Sequence, residues 1–178
     1  MVTSDERRRR SSRAHEVGGH IGQLYLLSGT GSPYELRIDP EGRWFHGGVE
    51  IVRRNIMQLF SRGLRRGKDG KYYVRLGRDE APVIVEDAPF VVLRVEEQSP
   101  GKLRLLLSDG SDEILQPRTL VFRDDNIPYC LVRKNLEAKF SRQAYYQLAK
   151  YIEHDEASGS YYFHVGRSRR KLNISGQK

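Results

Sequence analysis

Short apolar runs and weakly alternating stretches, bounded by turn residues, give way to helical spacing twice. Tyr34–Ile38 and Arg43–His46 alternate around Asp39-Pro40-Glu41-Gly42, a turn tetrapeptide, which predicts a hairpin. Val49, Val52, Ile56, Leu59, Phe60 and Leu64 then follow the spacing of one helical face, ended by Gly67–Gly70. Lys71–Leu76 returns as a strand with Tyr73 pointing opposite to Tyr72 and Val74. Val83-Ile84-Val85, after Pro82, leads into Glu86 and Asp87. Phe90–Val95, Leu103–Leu107 and Glu113–Leu115 predict an antiparallel meander with turns at Ser99–Gly101 and Asp109-Gly110. Leu120–Phe122 and Tyr129–Val132 form a further hairpin around Arg123–Asn126. Phe140, Ala144, Leu148, Tyr151 and Ile152 keep helical spacing behind Ser141, an expected N-cap, with Phe140 and Tyr145 placed as a hydrophobic staple. Ser158-Gly159 ends that element and Ser160–Val165 is the last expected strand.

The two helical patterns are related. A shift of 89 residues without gaps brings Arg53, Gln58, Leu59, Gly70, Tyr72, Tyr73, Gly77 and Arg78 onto identical residues, Arg142 through Arg167. That is eight matches across residues 53–78, and they coincide with element boundaries. A repeat constrains architecture. The expected class is α+β, antiparallel sheets with two related hairpin–helix–strand units packed around a shared junction. Residues 1–20 read as a mobile basic arm, 21–116 as an N-terminal α+β unit with the meander, 117–172 as a related C-terminal unit, and 173–178 as the end of a basic tail. Within the N-terminal unit, His20–Leu27 is a short apolar segment and Ser28–Pro33 a loop.

The net charge of +8 suggests a polyanion partner until it is located. Residues 1–13 hold five Arg against two acids, residues 167–178 hold five Arg or Lys against none, and residues 14–166 carry 21 basic and 21 acidic side chains. The basic ends read as solvated tails around a neutral body. No apolar run approaches the roughly 20 residues that span a bilayer, and the Arg-rich start does not resemble a secretory signal. With Cys130 as the single cysteine, the expected location is the cytoplasm, with no disulfide.

Candidate chemistry centres on Val85–Val92, V-E-D-A-P-F-V-V, where Pro89 biases Ala88 toward extended geometry and places Glu86 and Asp87 at a corner between strands. These acids can receive a ligand's hydrogen bonds or join Asp124 and Asp125 around a hard cation. The competing structural account has Asp87 bonding its own turn and Glu86 pairing with a nearby arginine. Trp44 and His46 share one face of a strand, as a pocket wall or as a core Trp with a satisfied His. Arg53 and its repeat partner Arg142 can clamp an anion or pair with the corner acids. No Cys-x-x-Cys, His-x-x-x-His, P-loop or dinucleotide fingerprint occurs, so neither a metal nor a cofactor is expected. Cys130, in mid-strand, reads as buried. Arg53, Arg54, Arg62, Arg65, Arg66, Lys68 and Lys71, followed by Tyr72 and Tyr73, are together with the two basic tails the basis of an alternative, nucleic-acid-associated reading. A solvated helix face accounts for them better, since Glu50 and Asp69 interrupt the run.

The V-E-D-A-P-F motif, the Trp44–Gly47 W-F-H-G run and the Arg53-Arg54 pair resemble an uncharacterised bacterial family defined by a domain of unknown function, over about residues 34–172. The resemblance implies a two-part α+β structure with repeated motifs and a role in ligand binding and signal transduction. It brings no catalytic residues. With the repeat, the acidic corner and the lack of a catalytic constellation, the expected function is a non-enzymatic module that holds a small polar or anionic ligand between its two related halves, lined by Trp44, His46, Arg53, Glu86, Asp87 and Arg142. Tyr-rich strands leave room for a homodimer. Neither a membrane nor a nucleic acid is the expected partner.

Overall fold

The computed structural model describes residues 35–172 except 124, 125, 134 and 167. The N-terminal arm, the apolar segment at 20–27, the 28–33 loop, the 173–178 tail end and the Asp124/Asp125 pair therefore lie outside the described residues. The chain divides into two compact units between Asp87 and Ala88.

In the first unit β1 (Leu36–Ile38) and β2 (Trp44–His46) form the expected hairpin. β3 (Val49–Glu50) turns back on β2, so that Val49 pairs with His46 and Glu50 with Phe45. Gly47 and Gly48 take φ of 57° and 79°, the left-handed backbone that this tight reversal needs. The expected helix is thereby shortened. Val49 and Val52 are 71% and 76% exposed, outside α1 (Arg54–Gly63), whose buried positions are Phe60, Ser61 and Gly63. Leu64, assigned above to the helical face, instead opens β4 (Leu64–Arg66). Gly63 allows this switch, because a Cβ there would meet the Arg75 carbonyl oxygen at 2.7 Å. β5 (Tyr72–Leu76) and β6 (Asp79–Val85) complete a sheet of order β3-β2-β1-β6-β5-β4. The unit's buried apolar residues are Leu36, Ile38, Trp44, Leu64, Val74, Ala81 and Val83 of the sheet and Phe60 of α1.

The second unit opens with β7 (Phe90–Ser99), β8 (Lys102–Leu107) and β9 (Asp112–Ile114), the expected meander. A 3₁₀ turn (Pro117–Thr119) precedes β10 (Val121–Arg123), β11 (Ile127–Val132) and β12 (Leu136–Phe140), in a sheet of order β10-β11-β12-β7-β8-β9. Phe90–Val92 pairs in parallel with Ala138–Phe140, which binds the meander into the same sheet as the later hairpin. Both six-stranded sheets have one plan, two antiparallel triplets joined at a central parallel pair, β1/β6 in one and β12/β7 in the other.

Phe140 belongs to β12 and not to a helix. α2 (Arg142–Ala149) follows, capped by Ser141, whose Oγ accepts from the Ala144 N–H at 3.2 Å. α2 buries Ala144 and Leu148 and stops before Tyr151 and Ile152, because Ile152 already begins β13 (Ile152–Asp155). β14 (Ser160–Val165) and β15 (Ser168–Lys171) complete a three-stranded sheet. Residues 168–171 are thus a strand, whereas the basic composition alone reads as a tail. Under the 89-residue shift the β5/β6 register falls on that of β14/β15: Tyr73 opposite Pro82 corresponds to Tyr162 opposite Lys171, and Leu76 opposite Asp79 to Val165 opposite Ser168. Gly77 and Gly166, with φ of 64° and 60°, occupy the same place in the two turns. Among the described residues no helix is long and apolar enough to cross a membrane.

One charged cluster ties the second unit's sheet together. Arg133, in the β11–β12 turn, pairs with Asp109, donates to Ser111 Oγ at 2.7 Å, and lies 4.7 Å from the Phe90 ring centroid. Its backbone N–H donates to Glu113 at 3.1 Å.

Candidate functional site

The first unit carries the most organised polar surface, around the end of β6. Asp39 is its anchor. Buried in the β1–β2 turn, its carboxylate accepts from the N–H groups of Glu41 and Arg43 at 3.1 and 2.9 Å and from Arg43 Nε at 2.7 Å. The hydrogen bond and charge of Asp39 raise the Arg43 pKa above its ordinary value. This fixes Arg43 beside Phe45, 5.8 Å from the ring centroid. Arg37, cross-strand from Phe45, lies nearer, at 4.2 Å. Its guanidinium also pairs with Glu86.

Strand parity explains that pair. Arg37 is opposite Ile84 in the parallel β1/β6 ladder, and the Glu86 N–H extends the ladder by donating to the Ile38 carbonyl at 3.0 Å. Glu86 stands two residues beyond Ile84 and so returns to the face that carries Arg37. The ion pair remains accessible, with side-chain exposures of 30% and 37%. A guanidinium stacked on an aromatic face and held by a carboxylate is pre-oriented for a planar anionic group.

The other sequence candidates fall elsewhere. Trp44 is 2% exposed and packs on Phe60 with ring centroids 5.6 Å apart, the core member of its two readings. His46 is half-buried and shares Trp44's parity, opposite to that of Phe45. Arg53 is exposed at the N-cap of α1, where its carbonyl accepts from Ile56 and Met57 at 3.0 and 3.1 Å. Asp87 is half-buried at the end of the first unit. Arg142 stands at the first turn of α2 in the second unit, where its guanidinium donates to the Tyr146 hydroxyl at 3.4 Å. Glu86 thus meets an arginine, as the structural account has it, but that arginine is Arg37. Sequence reasoning missed Arg37, Arg43 and Phe45. Their alternation on two strands joined by a turn carries the signal, yet the partner across a parallel pair lies 49 residues away.

Two arginines of the Arg53–Lys71 cluster are engaged locally. Arg65 donates to the carbonyls of Arg62 and Leu64 at 2.9 and 2.6 Å, and Arg66 to that of Gly70 at 3.3 Å. Asp69 accepts from the Tyr73 hydroxyl at 2.7 Å, which lowers the Asp69 pKa and raises that of Tyr73. Cys130 is 1% exposed, and burial pushes its thiol up to about 12. Among the described residues no three His, Cys, Asp or Glu side chains gather as a metal site needs.

Comparison with known proteins fits this architecture. Residues 30–88 match the N-terminal domain of a domain of unknown function, DUF1285. The chain resembles the DUF1285 family. The match ends at the unit boundary found between Asp87 and Ala88. A DUF1285 family protein from Silicibacter pomeroyi DSS-3 is 26% identical, with a TM-score of 0.65 over 79% of this chain and 80% of its own. A second, from Shewanella baltica OS155, shares the fold at 24% identity and a TM-score of 0.59, over 65% of this chain and 90% of its own. No curated protein matches the sequence. The DUF1285 likeness brings a fold and no reaction.

Proposed function

We propose that the chain is a non-enzymatic binding module whose first unit takes a small polar or anionic ligand on the face formed by Arg37, Arg43, Phe45 and Glu86. The observation that carries this reading is the half-exposed Arg37 guanidinium, stacked on Phe45 and held by Glu86 at the V-E-D-A-P-F corner. Such an ion pair can exchange its carboxylate for a ligand's at small cost, because a partly exposed pair is itself worth about 1 kcal/mol or less. Arg43, fixed by Asp39, supplies a second cation beside the same ring. The Asp87 and His46 positions border this region in sequence, and Trp44 supports it from the core.

The test is a thermal-shift titration of the full chain with acetate, succinate, inorganic phosphate and a nucleoside monophosphate. An anion at 100 times its dissociation constant stabilises the fold by roughly 2.7 kcal/mol. Glu86→Gln should tighten anion binding by freeing Arg37, and Arg37→Met should abolish it. The reading fails if none of the four anions stabilises the protein, or if both variants respond like the parent.

A further inference from the structure

Within the basic C-terminal segment, Ser168–Lys171 is one strand of a hairpin, and the chain contains a counterpart hairpin for comparison. β5/β6 and β14/β15 share one pairing register under the 89-residue shift, so side chains can be compared position by position. Tyr73 and Tyr162 correspond, as do Arg75 and His164. Where β6 has Glu80 and Pro82, β15 has Arg169 and Lys171. The hairpin therefore forms without basic residues on its second strand. In β15 Arg169 also pairs with Glu153 and Asp155 of β13, whereas Lys171 stands where β6 has a proline.

Their geometry suits a chain of phosphates. Alternation places Tyr162, His164, Arg169 and Lys171 on one face, in two cross-strand pairs, Tyr162 with Lys171 and His164 with Arg169. Arg169 and Lys171 are about 6.7 Å apart along the strand, two residues at the usual rise. The Arg169 guanidinium lies 3.7 Å from the Tyr162 ring centroid. His164, Arg169, Arg170 and Lys171 are all exposed, and Tyr162 is half-exposed. The acids on this face are Glu153 and Asp155 of β13, at the opposite edge of the sheet; both form loose ion pairs with Arg169, at 3.5 and 3.8 Å, that a phosphate must displace. From Ser160 to Lys178 the sequence holds five Arg or Lys and no acid. Cations in a row beside an aromatic ring are the combination that binds single strands, through phosphate contacts and base stacking.

We propose that the β14–β15 hairpin is a binding surface for single-stranded nucleic acid, with Arg169 and Lys171 on phosphates and Tyr162 as the stacking platform. The site is distinct from the Arg53–Lys71 cluster and independent of the anion face of the first unit.

The experiment is fluorescence anisotropy of the full chain with short fluorescein-labelled oligo-U and oligo-dT, from about 50 to 200 mM salt. Binding should weaken steeply with salt. Arg169→Ala with Lys171→Ala should reduce the magnitude of the log–log salt slope by about 1.4, two single-strand contacts at about 0.7 each. Tyr162→Leu should weaken binding by roughly 5- to 150-fold, the range for one stacked base. Glu153→Gln should strengthen it by freeing Arg169, a gain that a merely structural role would not produce. Arg75→Ala, in the counterpart hairpin, should leave it unchanged, and circular dichroism should report every variant folded. No binding to either oligonucleotide overturns the proposal. So does binding that survives the β15 substitutions but is lost when Arg7–Arg10 are replaced.

Discussion

Arg133 is the residue whose replacement should cost the second unit most. Its side chain is 20% exposed and its guanidinium pairs with the carboxylate of Asp109, whose side chain is 4% exposed, while also donating to Ser111. Removing one partner of a buried pair strands the other charge, at about 3–5 kcal/mol. Asp109 would keep the Ser111 N–H and hydroxyl at 3.0 and 2.6 Å, which places Arg133→Ala at the lower end, about 3 kcal/mol. A second effect has the opposite sign. Arg133 has φ of 43°, left-handed backbone that costs a non-glycine residue roughly 1–2 kcal/mol. Arg133→Gly should therefore be less destabilising than Arg133→Ala by about 1 kcal/mol, the reverse of the usual order of glycine and alanine. Urea unfolding followed by circular dichroism measures both, and Arg133→Ala should lower Tm by roughly 6–12 °C. Replacing both partners, Arg133→Met with Asp109→Asn, should recover part of the loss. If Arg133→Ala costs under about 1 kcal/mol, or if glycine is worse than alanine, the account of a buried clamp on a strained turn is wrong.

Gly166→Ala should destabilise clearly more than Gly77→Ala by thermal melting. Both residues have positive φ, but a Cβ at Gly166 would meet the Gly101 Cα at 2.8 Å, whereas one at Gly77 meets nothing within 4 Å; equal losses would refute the close-approach argument. Cys130, with its thiol near 12, should resist iodoacetamide at pH 8 in the native protein and react on unfolding in urea; rapid native labelling would show that the strand opens. The lowered pKa of Asp69 means that its bond to Tyr73 stabilises the fold above the ordinary carboxyl pKa and is lost as pH falls through the lowered native value. Asp69→Asn should flatten the acid limb of the stability–pH curve, and an unchanged limb would contradict this.

Local patterns determined a good part of this molecule. The D-P-E-G and S-P-G turns, the strands β1, β2, β5, β7, β8 and β14, the Ser141 cap and burial of Cys130 were all legible, because each depends on residues within a few positions of one another. The eight identities of the 89-residue shift were legible too, whereas the shared register of β5/β6 and β14/β15 needed the strand pairings themselves. Tertiary structure decided the rest. Val49 and Val52 fit a helical face, yet the Gly47-Gly48 reversal gives their segment to a strand and an irregular approach instead. Leu64, Phe140 and Ile152 also keep helical spacing, but the sheets claim them, since pairing with a distant strand outweighs the weak preference of a short helix. The basic run at 168–171 became a strand for the same reason, by pairing with β14. Glu86 was singled out from sequence, while its partner was not: a parallel ladder selects Arg37 over every other arginine, and such long-range pairing leaves no local trace in the chain.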